Sequence, residues 1–402
     1  MFKKLLSLCI AVVMIASLGA AMVSCDSDDG VFRLGVILLH DEDSTYDLNF
    51  IEAVKKAADA LGLTEDQVII KRDIGESNAC YEAAADLVDE GCDVIFADSF
   101  GHETYLLKAA KKFPKVQFCH ATGTMAHTEG LDNFHNAFAS IYEGRYLAGV
   151  AAGLKLNEMI DDGKITAEQA KMGYVGAFTY AEVISGYTSF YLGAKSVCPS
   201  VTMEVQFTGE WYDEIEEKNA ATALVNNGCV LISQHADSMG APSVCEEKNV
   251  PNVSYNGSTV ASCPNTFIVS SKIDWTPYFK YICESVQNGT KIDVDWTGTL
   301  QTGSVALAAV NPQAAAEGTQ AYLDDVKAKL ISGEIKVFAT STFTVNGETL
   351  TSYKADVNTD ENFEKDTEVI SDGYFHESEY RSAPYFDIQI DGIKLLNTNF
   401  GD

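Results

Sequence analysis

Two positions apart in one segment, Gln234-His235-Ala236-Asp237-Ser238 sets an imidazole beside a carboxylate. Such a pair can serve acid–base chemistry, or it can read the hydrogen-bonding edge of a ligand. Hydrolysis needs a third group to orient the base, and zinc needs further ligands at suitable spacing. The chain has no G-x-S-x-G elbow, no H-E-x-x-H pair and no G-x-x-x-x-G-K-[ST] loop. The sequence therefore predicts no catalytic residue, no metal site and no cofactor, and an enzyme is not expected. Aromatic residues in short polar segments point instead to capture of a small solute. Tyr46, Phe100, Phe178, Trp211 and Trp275 are the candidate stacking groups, because flat aromatic faces hold planar rings at about 1–3 kcal/mol per ring. Gly101, His102, His235, Asp237 and Asn256 are the candidate hydrogen-bonding positions. Other readings stay open: Phe100 and Phe178 as core aromatics, Asp237 and His102 as helix caps, His120 as a satisfied core residue, and Tyr142, Glu143 and Arg145 as a structural ion pair at a hinge. No loop that carries these candidates has two basic residues, which disfavours phosphates and dicarboxylates and leaves a planar, hydroxylated or amino-bearing solute.

These residues need a scaffold, and an internal repeat supplies it. Residues 83–96, AAADLVDEGCDVIF, align without a gap on residues 220–233, AATALVNNGCVLIS. Each copy reads as an amphipathic helix stopped by glycine and followed by a short apolar strand. The neighbours repeat too. Strand 34–39 and helix 49–61 precede the first copy, and strand 173–177 and helix 185–196 precede the second. Helix 103–112 with strand 116–119 follows the first, and helix 241–247 with strand 251–255 follows the second. Strands alternating with helices of this length imply right-handed βαβ units and parallel sheets. The expected fold is therefore α/β, with two doubly wound lobes joined by a hinge. In such sheets ligands sit at the carboxyl ends of the strands, so the loops to read are 40–46, 98–102, 120–123, 178–182, 234–238 and 255–258. Residues 136–156 read as one long helix, 298–312 as a strand-forming passage, and 335–339 as a strand. The expected boundaries are 1–24 for a signal peptide, 25–31 for a tether, 32–156 for lobe one with return segments over 277–340, 157–276 for lobe two, and 341–402 for a hairpin, loop and strand near the hinge.

The amino terminus has Lys3-Lys4, an apolar run over 5–23, and then Met22-Val23-Ser24-Cys25 before an acidic stretch. This reads as a secretory signal ending in a lipobox, with lipidation of Cys25 and anchoring at the extracytoplasmic membrane face. The 28 basic and 58 acidic residues give a net charge of −30, a field that repels phosphate backbones and argues against nucleic-acid partners. Eight cysteines remain after Cys9 and Cys25. Several lie in apolar strand-like runs, so buried free thiols are expected, with a Cys263–Cys283 bridge as the alternative.

Taken in order, Ser99-Phe100-Gly101-His102, His120-Ala121-Thr122-Gly123, the run 142–149 (YEGRYLAG), Gly173-Tyr174-Val175-Gly176, Trp211-Tyr212-Asp213, Gln234-His235-Ala236-Asp237-Ser238 and Trp275-Thr276-Pro277-Tyr278-Phe279 resemble the basic membrane protein (BMP) family of lipoproteins, in its purine- and nucleoside-binding branch. The resemblance covers about residues 32–338. It implies a type I periplasmic-binding-protein fold and a substrate-binding protein of an ABC importer that passes a purine base or nucleoside to a permease. The chain departs from the branch at Asp43-Ser44-Thr45-Tyr46, where a Gly-Trp is expected and only Tyr46 can stack, at Asn256-Gly257-Ser258, which lacks an aspartate, and at Asp274, which stands for an asparagine. A sugar or other small solute on the same fold, and a ligand-sensing receptor without transport, are the rival expectations.

Overall fold

The computed structural model describes residues 30–358, 360, 362–398 and 400. The expected signal peptide and Cys25 lie outside them. The chain builds β1 (Leu34–Ile37), α1 (Thr45–Leu61), β2 (Val68–Lys71), α2 (Asn78–Asp89), β3 (Val94–Ala97), α3 (Glu103–Lys112), β4 (Gln117–Ala121), a single turn α4 (Ala126–Glu129) and β5 (Phe134–Ala139). With the later strand β11 (Asp295–Gly298) these form a parallel sheet in the order β11-β5-β4-β3-β1-β2. Between them, α5 (Ile141–Asp161) leads to β6 (Lys171–Gly176), α6 (Ala181–Val197), β7 (Thr202–Phe207), α7 (Glu214–Asn226), β8 (Leu231–His235), α8 (Gly240–Lys248), β9 (Asn252–Tyr255), β10 (Phe267–Ile273) and α9 (Thr276–Asn288). After β11 come β12 (Val305–Leu307), α10 (Thr319–Ser332), the two-residue strands β13 (Lys354–Ala355), β14 (Thr367–Glu368), β15 (Ile370–Ser371) and β16 (Tyr374–Phe375), and finally β17 (Ile393–Leu395). The second sheet runs β12-β10-β9-β8-β6-β7-β17, parallel except where β12 meets β10.

The repeat is visible in the backbone. After α2 and after α7 the chain turns through Gly91 and Gly228, at φ +84° and +87°, where an L side chain would be strained. Cys92 N–H then donates to the Leu87 carbonyl and Cys229 N–H to that of Leu224, both at 3.0 Å. Both cysteines are buried, and all eight cysteines among the described residues are buried free thiols without a bridge.

Three of the sequence expectations for local structure differ. Residues 134–139 are a strand with every side chain buried, so the helix read from 136 begins only at Ile141. The apolar run there belongs to the sheet centre, where burial on both faces erases alternation. Residues 335–339 form no strand beyond a single bridge from Ala339 to Tyr374, and the passage over 298–312 splits between the end of one sheet and β12 of the other.

The chain passes between the sheets at Ser140, at Asp274 and at 299–304. Main-chain bonds tie these crossings together: Ser140 N–H donates to the Gly298 carbonyl at 2.8 Å, Asp274 N–H to Ser304 at 2.6 Å, and Ser304 N–H to Thr299 at 3.1 Å. Although α5 leaves the first sheet, it packs along α6 in the second lobe. A Cβ on Gly149 would sit 1.9 Å from the Phe190 carbonyl oxygen, and one on Gly193 would sit 2.1 Å from that of Tyr146. Only hydrogen fits there. Residues 340–398 run over both lobes. Ser382 N–H donates to Asp295 of the first sheet at 2.7 Å, Tyr187 of α6 donates to Gln389 at 3.0 Å, and β17 extends the second sheet beside β7.

Gly193→Ala must push two helix backbones apart. Overpacking costs about 1–3 kcal/mol in ordinary cores, and more is expected against an unyielding carbonyl. The urea midpoint should fall at unchanged m-value; a wild-type midpoint would show that the helices are not held this close.

Candidate functional site

The carboxyl ends of the two sheets face each other, and between them lies a cavity walled by Leu39, His40, Tyr46, Asp47, Ser99, Phe100 and Thr122 from the first lobe and by Glu182, Trp211, His235, Asp237 and Tyr255 from the second. The lobes touch around it. Thr45 donates to the Asp237 carbonyl through its N–H (3.0 Å) and hydroxyl (3.2 Å), Asn49 donates to the Ile273 carbonyl, and the Phe100 and Tyr180 rings lie 5.0 Å apart. Phe178, Tyr180 and Trp211 continue that aromatic cluster, with Phe178 5.1 Å from Tyr180 and 5.0 Å from Trp211.

The carboxylates are held by local structure. Ser44 caps α1, and Asp47 in its first turn accepts from His40 N–H (2.8 Å) and the Ser44 hydroxyl (2.6 Å). Behind it, burial first and then the neighbouring Asp47 raise the Asp98 carboxyl well above its usual range. Burial, followed by the charges of Asp47, Glu217 and Glu182, does the same to Asp237, which Asn256 approaches with its amide at 3.5 Å. Thr122 sits at φ +63°, an unfavourable conformation for a β-branched residue, fixed by its N–H to Ala137 (3.1 Å) and its hydroxyl to Ala121 (2.6 Å). Among the described residues no lysine or arginine lines the cavity. The arrangement can stack a flat solute and accept several hydrogen bonds from it. Among the described residues no group of three or more metal-ligating side chains occurs.

Of the positions named from sequence, Tyr46, Phe100, Trp211, His235 and Asp237 line the cavity. Phe178 packs behind Trp211, and Asn256 stands behind Asp237 with its Oδ1 unpartnered. Gly101 donates its N–H to Glu76 at 2.7 Å. His102 is fully buried, accepting from Ser99 N–H (3.4 Å) with its other nitrogen 2.7 Å from the Ile74 carbonyl; burial lowers it to about 4. Trp275 is not brought to the cavity wall. It is completely buried at the start of α9, stacked on Phe50 at 4.6 Å and flanked by Phe96, because the return crossing docks α9 on α1 of the first lobe. Asp47, Glu182 and Tyr255 were not singled out from the sequence, although Glu182 and Tyr255 fall within the loops read and Asp47 lies one residue beyond. Arg145 is not paired with Glu143. It is buried inside the second lobe, while Glu143 accepts from Leu300 N–H at 3.0 Å.

The family described as ABC transporter substrate-binding protein, PnrA-like (Bmp) matches residues 35–341. The chain belongs to this family. It is 30% identical over 288 residues to a purine-binding protein of Brucella abortus, covering 71% of this chain and 77% of that one. It is 31% identical over 255 residues to a putative ABC transporter glucose-binding protein of Haloferax volcanii, covering 62% and 60%. A nucleoside-binding protein of an ABC transporter in Lactococcus lactis is 28% identical over 160 residues, covering 40% and 41%. The fold is shared with an ABC-transporter solute-binding protein of Aeropyrum pernix, at a TM-score of 0.64 and 17% identity over 77% of this chain and 93% of that one. A second such protein, from Conexibacter woesei, gives 0.61 and 20% over 76% and 98%. The type I solute-binding fold expected from the sequence is thus the fold observed. The family match ends at residue 341, so β13 to β17 stand outside it.

Next to the cavity, the carboxyl of Glu217 is completely buried, accepts from Ser238 N–H at 3.1 Å, leaves Oε2 unpartnered, and is pushed up by burial to about 7. A raised carboxyl contributes stability that is full below its unfolded value of about 4.5 and is lost as pH rises through about 7. Glu217→Gln removes that titration. Its melting temperature relative to wild type should therefore climb between pH 5 and 8, and a pH-independent difference in calorimetry would contradict the buried carboxyl.

Proposed function

We propose that this chain is the lipid-anchored binding component of an ABC importer, capturing a purine base or nucleoside between its lobes at the extracytoplasmic membrane face and delivering it to a permease. The observation that carries the ligand class is the cavity wall. Tyr46 and Phe100 from one lobe oppose Trp211 and Tyr255 from the other, and Asp47, Glu182 and Asp237 offer acceptors with no cation among them. Purines present flat faces and a donor-bearing edge, and ribose adds hydroxyl donors; anionic solutes would meet like charge. The purine-binding and nucleoside-binding relatives support this reading, and the glucose-named relative makes a sugar the alternative. Lobe contacts such as Thr45 to Asp237 fit a closed form reached by hinge motion. The role is capture without chemistry, so nucleosides incubated with the protein should be recovered intact by chromatography.

A thermal-shift screen of residues 30–402 against purine bases, nucleosides, sugars and amino acids should raise the melting temperature with purines or nucleosides. Asp237→Ala and Trp211→Ala should each weaken that binding tenfold or more. A shift with sugars alone would replace the ligand class.

Anchoring rests on Cys25. Cys25→Ala should move the full-length chain from the membrane fraction to the soluble exported fraction, and unchanged partitioning would exclude a lipid at that residue.

A further inference from the structure

Arg145 is fully buried, and among the described residues no carboxylate pairs with it. Its Nη2 donates to the Tyr174 hydroxyl (3.0 Å), the Ser233 hydroxyl (2.9 Å) and the Gln234 carbonyl (3.3 Å), and its Nη1 to the Ser271 hydroxyl (3.3 Å) and the Ser254 carbonyl (3.4 Å). The rings of Tyr174, Phe190 and Tyr255 surround the guanidinium at 5.0–5.3 Å. From Tyr174 a chain of contacts reaches the cavity. The Tyr174 hydroxyl lies 3.3 Å from His235 Nδ1, and His235 Nε2 lies 3.4 Å from Glu182 Oε1.

The direction of this chain follows from donor chemistry. Arginine only donates, so Tyr174 accepts from it and is left with its own proton to give to His235 Nδ1. His235 then carries its proton on Nε2, aimed at the Glu182 carboxylate. The opposite tautomer would set two acceptors against each other at Glu182. Burial, the largest influence, lowers the His235 pKa against the opposing pull of Glu182, with Arg145 adding to the lowering, which favours the neutral ring. The imidazole has no room to flip away, because it packs on Tyr255 with ring centroids 4.4 Å apart and a Cβ on Gly186 would come within 2.6 Å of Nδ1.

We propose that Arg145 is a positioning residue of the binding site, acting through Tyr174 and the Nε2-protonated tautomer of His235 to fix the Glu182 carboxylate as a directed acceptor for a donor group of the ligand. Resting on the purine reading, this makes the N–H-bearing or hydroxyl-bearing part of a purine or nucleoside the partner of Glu182. Second-sphere control of an imidazole tautomer governs ligand orientation in metal sites and catalytic triads by the same physics.

Nitrogen-15 NMR of the ligand-free full chain should show His235 protonated on Nε2, and Tyr174→Phe should release a mixture of tautomers. In parallel, adenosine, guanosine and inosine serve as probes. The probe that binds wild type most tightly should bind Tyr174→Phe at least tenfold more weakly. Glu182→Gln should keep the wild-type tautomer while losing affinity to a similar extent, and it stands in where Tyr174→Phe does not fold. Wild-type His235 protonated on Nδ1, or Tyr174→Phe with both tautomer and affinity unchanged, overturns the proposal. If no probe binds wild type, the purine reading fails, and the tautomer comparison still decides the relay.

Discussion

Two helix backbones in direct contact set the geometry of the second lobe. Where Gly149 and Gly153 of α5 meet Phe190 and Ala194 of α6, the chains approach so closely that no side chain can stand between them. Arg145 lies four residues before Gly149 on the same helix face, so that approach drives its guanidinium under the sheet, against strands β6, β8, β9 and β10. A charge in such a place must be fully hydrogen-bonded to be tolerated. The strands meet that demand at both terminal nitrogens, with the Tyr174, Ser233 and Ser271 hydroxyls and the Gln234 and Ser254 carbonyls, and leave Nε unpartnered; the three hydroxyls stand where parallel sheets ordinarily bury aliphatic side chains. The polar heart of the lobe and its binding face are therefore parts of one arrangement, because the loops that follow these strands carry His235, Asp237 and Tyr255.

Closure assembles a second electrostatic problem. Asp47 belongs to one lobe and Glu182 and Asp237 to the other, and bringing them to one cavity sets like charges together in a place of low dielectric. Burial first, and then the charges of Asp47, Glu217 and Glu182, push the Asp237 carboxyl upward there. On the proposed reading, a donor-rich solute would relieve the crowding by hydrogen bonding to the carboxyls and so supply part of what keeps the lobes together. Selection against anions would follow from the same source.

The repeat, the parallel sheets and the six ligand-facing loops were legible in the sequence because helix and strand periodicities, stopped by Gly91 and Gly228, leave a local trace. Which side chains of those loops turn inward was legible only in part: Tyr46, Phe100, His235 and Asp237 line the cavity as read, and Asp47, Glu182 and Tyr255 were missed. Asp47 points into the cavity only because Ser44 caps α1 and the carboxylate then reaches back to His40, a geometry spelled by spacing no different from many other acidic turns. Trp275 misled as a residue too large for a loop, since its burial depends on α9 docking across the hinge, a contact of long sequence separation. Strand β5 passed for the start of a helix because a central strand buried on both faces loses its period of two. Arg145 looked like a partner for its neighbour Glu143, but helical rotation by two residues turns Glu143 to Leu300 at the crossing and Arg145 into the second lobe.

The three crossings between the lobes are bonded to each other through Ser140, Gly298, Thr299, Ser304 and Asp274. Three crossings pinned to one another act as one joint and not as three independent linkers. Residues 340–398, bonded to the first sheet at Asp295 and to the second through β17, add a further tie across the same joint. On the proposed reading, an external partner that grips both lobes would sense an empty or a loaded molecule through the setting of this one joint.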